Sequence, residues 1–192
     1  NASSTHVARL IKSIVEIEGP VHTNLVKTRI AQASQIGRIG SRVEGSILSG
    51  IWQGVQAKLF IQRGEFLWPL PLKNPLIRVP KNSDDRRSID MISPEEIALA
   101  VDLCLRSALS LTPDDLIRET ARLYKLQASD NNSLVIQQVL NRMEKYLMIE
   151  QRGDKNYTGT KYHQKLLPVL EINDWQGRIE FNRLPYDLII NF

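Results

Sequence analysis

The sequence predicts a mainly α protein with small β-hairpin wings, an α+β chain of tandem winged helix-turn-helix units followed by a C-terminal extension. Three observations carry this expectation. Residues 41–59 place Val43, Ile47, Leu48, Ile51, Val55 and Leu59 at helical spacing, with Arg42, Gly45, Ser46, Ser49, Gln53 and Gln56 opposite them. Leu59-Phe60-Ile61 and Phe66-Leu67-Trp68 flank an Arg63-Gly64 turn, two β-prone runs that read as a hairpin. Both features recur in the second half of the chain. A helix with one buried stripe and a polar outer face, followed by a hairpin, has the pattern of a recognition helix and wing.

The first unit is expected over residues 3–69; Asn1-Ala2 is read as a cloning remnant and set aside. Val7, Leu10, Ile11, Ile14 and Ile17 recur at three and four and predict a helix over 5–18, which Gly19-Pro20 ends. Thr23 or Asn24 can cap a second helix over 25–33, with Leu25, Val26 and Ile30 inward. A turn with Gly37 and Gly40 leads to Ser41-Arg42-Val43-Glu44, the pattern of a capping box. Residues 70–92 read as a Pro-rich, polar linker, because Pro69, Pro71, Pro75 and Pro80 block regular helix; Leu76-Ile77-Arg78-Val79 is a candidate edge strand.

The second unit is expected over 93–160. Ser93-Pro94-Glu95-Glu96 starts a helix with its stripe at Ile97, Val101, Leu105 and Leu109. Thr112-Pro113-Asp114-Asp115 starts another, with acids where the dipole favours them. Residues 127–132 read as a polar turn, 133–146 as a helix, and 147–157 as a hairpin turning at Arg152-Gly153-Asp154. Residues 161–192 have no counterpart in the first unit, and so apolar an end is expected to dock on a body or to be the cut edge of something longer.

The two units match as an internal repeat. At a shift of 92, Val43, Ile47, Leu48, Ile51 and Val55 fall on Val135, Val139, Leu140, Met143 and Leu147. At a shift of 91, Leu25-Val26-Lys27 falls on Leu116-Ile117-Arg118, and at 89, Gln62-Arg63-Gly64 falls on Gln151-Arg152-Gly153.

A hydrophobic fraction of 42% over 192 residues fits a globular chain of one domain or two small ones. The apolar runs are short of a membrane span, and no basic-then-apolar leader is visible, so a cytoplasmic protein away from membranes is expected. The lone Cys104 allows no intramolecular disulfide and suits a reducing compartment. The net charge of +4 permits nucleic-acid binding if the excess is concentrated on one face.

No catalytic, cofactor or metal site is expected. The phosphate-loop pattern G-x-x-x-x-G-K-[ST] is missing, and His6, His22 and His163 are dispersed. Cys104 lies in an apolar run and reads as an inert core thiol. Of the acidic pairs Asp84-Asp85, Glu95-Glu96 and Asp114-Asp115, two fall at helix starts, where capping explains them. Trp52, Trp68 and Trp175 are expected to pack in a core or on a hairpin rather than to serve as stacking platforms. Gly45, Gly50 and Gly54 each cost a helix about 1 kcal/mol relative to Ala. They make either a thin face for DNA or another helix to approach, or a tightly packed core helix.

The basic residues are the functional candidates. In the first unit Arg38, Arg42, Ser46, Ser49 and Gln53 would face bases or phosphates, with Arg63 at the wing tip. In the second the set is Gln138, Asn141, Arg142, Lys145, Arg152 and Lys155. The alternative is a solvated polar face on a winged helix used for protein contacts.

Glu18-Gly19-Pro20-Val21-His22, Gly40-Ser41-Arg42-Val43, Arg63-Gly64-Glu65-Phe66-Leu67-Trp68-Pro69 and Ser93-Pro94-Glu95-Glu96-Ile97 carry a resemblance over residues 5–153. The chain resembles a domain of unknown function at the C-terminal end of large bacterial superfamily 1 helicase-like proteins, where it often follows a nuclease domain similar to very-short-patch-repair endonucleases. The resemblance implies a piece of a parent polypeptide whose other domains hold the motor and the nuclease, and it assigns no catalytic residues. The resulting expectation is a non-catalytic accessory module that holds duplex or forked DNA mostly through the phosphate backbone. A protein-interaction or homodimerisation module without nucleic acid is the alternative, and a transcriptional regulator is a third.

Overall fold

The structure, a computed structural model, describes residues 4–72, 75–82, 85–108, 110–152, 156–159 and 178–180. It is an α+β protein that divides into two compact units, Asn1–Lys73 and Asn74–Phe192. Among the described residues no helix is long and apolar enough to cross a membrane.

The first unit runs α1 (Ser4–Glu18), β1 (Val21–His22), α2 (Thr23–Ala33), α3 (Ser41–Gln56), β2 (Phe60–Arg63) and β3 (Phe66–Pro69). The strands form one antiparallel sheet in the order β1-β3-β2, with Val21 opposite Leu67 and Arg63 opposite Phe66. Val7, Ile11 and Val15 of α1, Val26 and Ile30 of α2, Ile47 and Ile51 of α3, and Val21, Phe60 and Leu67 of the sheet form the core.

Of the stripe expected on α3, Ile47 and Ile51 are buried and Val43, Val55 and Leu59 pack partly buried against the core, while Leu48 is exposed and two glycines take its place. Ile47, Gly50, Ile51 and Gly54 are buried, whereas Leu48 and Trp52 are exposed. The glycines decide this. A Cβ at Gly50 would lie 2.6 Å from Val7 Cγ1, and one at Gly54 would lie 2.2 Å from Phe60 Cζ. The helix turns its small side to α1 and the hairpin so that backbone and side chain meet. The glycines therefore serve close core packing, except Gly45, which faces open space. Trp52, expected in a core or on a hairpin, is instead exposed on the helix; Trp68 is buried as expected.

Two expected caps are replaced. The N-cap of α3 is Gly40, without a side-chain hydrogen bond, because Glu44 turns instead to Lys27, whose Nζ donates to it at 2.6 Å. α2 is capped by His22, whose Nδ1 accepts from the Asn24 amide at 3.1 Å. Thr23 is occupied elsewhere, its hydroxyl donating to Glu65 Oε2 at 3.1 Å.

The second unit runs β4 (Leu76–Arg78), a 3-10 turn (Ile89–Met91), α4 (Pro94–Ala108), α5 (Pro113–Leu123), α6 (Asp130–Lys145), β5 (Ile149–Arg152), β6 (Asn156–Gly159) and β7 (Arg178–Glu180). β5 and β6 form the second hairpin, and β4 pairs antiparallel with β7. Part of the stretch expected to be linker is folded: Ile77 and Ile89 are fully buried. The caps at Ser93 and Thr112 form as expected, accepting from the amides of Glu96 and Asp115 at 3.2 Å each. α6 starts three residues before its expected position, capped by Ser129. Of residues 161–192, only 178–180 are described.

Three helices and a hairpin of the first unit match the second at offsets of 89 and 90 residues. The buried positions Val7, Ala8, Ile11 and Val15 of α1 recur 90 residues later as Ile97, Ala98, Val101 and Leu105 of α4. The buried positions Ile47, Gly50, Ile51 and Gly54 of α3 recur 89 residues later as Ile136, Val139, Leu140 and Met143 of α6. The left-handed residues after these helices obey the same offset, Lys58 at φ 53° and Leu147 at φ 57°. So do the bonds that close them, Leu59 N–H to Gly54 O and Met148 N–H to Met143 O, both 2.9 Å. The Val21–Leu67 pairing recurs as a bridge between Leu111 and Tyr157. The shift of 92 expected for the stripe is thus three residues too long. Three residues are nearly one turn, so an apolar stripe overlays itself at either shift and cannot choose the register.

Candidate nucleic-acid interface

Gln138, Asn141, Arg142 and Lys145 are all exposed. Their spacing of three, four and seven puts them in one row on the outer face of α6, opposite Ile136, Val139, Leu140 and Met143. Asn141 Oδ1 accepts from Gln137 Nε2 at 2.9 Å. Arg142 and Lys145 lie in the last turn, where the helix dipole also favours cations. Among the described residues neither side chain enters an ion pair.

Among the α3 residues expected to face nucleic acid, Arg42 is the one cation. Arg42, Ser46 and Ser49 are exposed, and the Ser46 hydroxyl donates to the Arg42 carbonyl at 3.0 Å. Gln53 is half-buried, and its Nε2 donates to Thr5 Oγ1 at 2.9 Å, which ties it to α1. Arg38 is exposed in the loop before α3. At the 89-residue offset Ser49, Trp52, Gln53 and Gln56 stand where α6 has Gln138, Asn141, Arg142 and Lys145. The basic row therefore belongs to the second unit alone.

The hairpin cations are already engaged. The Arg63 guanidinium lies 5.1 Å from the ring centroid of Trp68, a cation–π contact along the sheet. Arg152 is ion-paired with Glu150 on its own strand. Lys155 lies outside the described residues.

Two acidic positions have surroundings that sequence spacing did not reveal. Glu96 has a fully buried side chain between two arginines. It accepts from the Arg78 backbone amide at 2.8 Å, from Arg78 Nη2 at 3.1 Å, and from Arg87 Nη1 and Nη2 at 3.0 and 2.6 Å. Its own carbonyl accepts the Tyr124 hydroxyl at 3.1 Å, and Arg87 lies over the Tyr124 ring. Glu96 is thus more than a helix-start residue: it clamps β4 and the segment after it onto α4. Asp102, one helical face away, is buried and paired with Arg106 at 3.0 Å. Burial pushes its carboxyl up to about 7, against the pull of Arg106. Burial likewise pushes the Cys104 thiol up to about 11, so it is a neutral core group at physiological pH. Among the described residues no group of three His, Cys, Asp or Glu side chains could hold a metal ion.

Residues 1–45, which span α1, α2 and the first residues of α3, match the model of a family described as a protein of unknown function (DUF3320). No curated protein and no solved structure matches the chain.

Proposed function

We propose that the chain is a non-catalytic DNA-binding module made of two winged helices, and that the second unit grips duplex DNA, mostly through its phosphates. The observation that carries this reading is the exposed row Gln138, Asn141, Arg142 and Lys145 on α6. On this reading α6 would be the recognition helix, which its place supports: it is the third α-helix of its unit and is followed directly by a hairpin. Arg142 and Lys145 would neutralise phosphates, while Gln138 and Asn141 are short enough to reach sugar or base edges. The resemblance to a C-terminal domain of helicase-like proteins supports a parent polypeptide whose motor and nuclease act on DNA that this module holds.

Titration of labelled duplex, forked and single-stranded DNA at several salt concentrations tests the reading. Log affinity for duplex falls with log salt, by about 0.9 for each phosphate neutralised. Absence of duplex binding at low salt would overturn it in favour of a protein-interaction module. An operator-type regulator would instead show one duplex sequence bound far more tightly than the rest.

A further inference from the structure

α2 begins directly after β1, and the residue at the junction, His22, joins the helix to the sheet. Its Nδ1 accepts from the Asn24 amide at 3.1 Å, which caps α2. Its ring stands edge-on to Phe66 of β3, with centroids 5.2 Å apart and planes at 86°, and is buried. Beside it the Thr23 amide donates to Glu65 O at 2.9 Å and the Thr23 hydroxyl to Glu65 Oε2 at 3.1 Å. Two consecutive residues thus fasten the start of α2 to the hairpin.

α2 and α5 are related by an offset of 90 residues, which puts Thr112 at the place of His22. Thr112 caps α5 with its hydroxyl. A hydroxyl oxygen accepts at any physiological pH, whereas an imidazole Nδ1 accepts only while it carries no proton. Protonation turns that nitrogen into a donor facing an N–H and puts positive charge at the positive end of a helix. The charged groups on the elements packed against His22 do little to offset this. Lys27 and Arg29 of α2 are cations, paired with Glu44 and Glu18. Arg63 of β2 is a cation opposite Phe66. The carboxylate, Glu65, lies exposed in the hairpin turn, where solvent screens it.

We propose that His22 makes the first unit an acid-sensitive switch: protonation of its ring releases the start of α2 from its cap and from the hairpin, while the second unit, capped by Thr112, stays closed. The folded unit excludes a proton that the unfolded chain takes up. Stability from this cap is therefore present above about pH 6.5 and is lost as pH falls below it.

The test uses the full chain and reads amide hydrogen exchange by NMR at about pH 7.5 and about pH 5, corrected for the intrinsic pH dependence of exchange. Protection in α2 falls by about fivefold at the lower pH, the worth of one cap, and protection in α5 does not fall. H22T, which installs the second unit's residue, and H22N, a second cap that does not titrate, each abolish the fall. The His22 ring signals of the wild type titrate below about pH 6.5. Equal protection in α2 at the two pH values overturns the proposal. So does a ring that titrates above that value, which would mean that Glu65 holds the charged form. A fall that persists in H22T and H22N also overturns it and assigns the acid sensitivity to another group.

Discussion

Gly54 of α3 lies against the ring of Phe60 so closely that a Cβ would stand 2.2 Å from the ring Cζ and 2.5 Å from Cε1. The helix and the first strand of the hairpin are thereby set at a separation that no other residue permits. At the equivalent places the second unit has Met143 and Ile149, both buried, so a long flexible side chain and a branched one fill the space that an aromatic ring fills in the first unit.

Substitution at these glycines separates packing from helix propensity. Gly54→Ala gains about 1 kcal/mol of propensity but overpacks the core at a cost of about 1–3 kcal/mol, so it destabilises by up to about 2 kcal/mol net. Gly45→Ala has open space and raises stability by about 0.5–1 kcal/mol. Urea unfolding followed by circular dichroism checks both signs; equal effects would mean that Gly54 is not a packing glycine.

The buried Glu96 gives a second test. Replacing it with Gln removes the charge between Arg78 and Arg87, whose side chains are only 21% and 11% exposed. Breaking a buried pair in this way costs about 3–5 kcal/mol, since both guanidinium groups lose the carboxylate held between them. Chemical denaturation of Glu96→Gln should show a loss near that size. A loss below about 1 kcal/mol would mean that the cluster is solvated.

Asp102 makes stability depend on pH in a defined direction. Its carboxyl is raised from 3.8 to about 7 in the folded state, so between those values the folded chain holds a proton that the unfolded chain has lost. Stability from this group is present below the unfolded value and is lost as pH rises towards about 7. Asp102→Asn removes that slope. It should exceed the wild type by on the order of 3 kcal/mol at about pH 8, with the difference shrinking towards about pH 5. Parallel unfolding curves at the two pH values check this, and an unchanged difference would assign the effect to packing.

Charge reversal on the α6 row addresses DNA directly. Arg142→Glu with Lys145→Glu should weaken duplex binding by at least tenfold at low salt for all sequences alike. It should also lower the salt slope by about 0.9 for each phosphate that is no longer neutralised. Because both side chains are exposed, the fold is retained, which circular dichroism verifies. An unchanged salt slope would move the interface away from α6.

The α+β class, the places of the six helices and two hairpins, the caps at Ser93 and Thr112, and the duplication itself were legible in the sequence. Each follows from local chemistry: apolar period, a hydroxyl before an acidic first turn, and β-prone runs about a turn. The hairpin tripeptide also carried the true 89-residue offset. The exposed row on α6 was named from the sequence although the stripe expected there is only partly the buried one: Val139, Leu140 and Met143 are buried, but Leu147 is 63% exposed and Ile136, outside the expected stripe, is fully buried.

What the sequence alone could not decide was which way α3 faces, since Leu48 and Trp52 compete with Gly50 and Gly54 for the core. Hydrophobicity favours the first pair, but only glycine lets the helix touch Val7 and Phe60, and close packing prevails. The partners of Glu44 and Glu96 were likewise set by tertiary structure, because Lys27, Arg78 and Arg87 come from other segments of the chain. Sequence determined the pattern of helices, hairpins and charges. Packing between distant residues decided which faces are left for a ligand, and so turned Trp52 from an expected core residue into an exposed one.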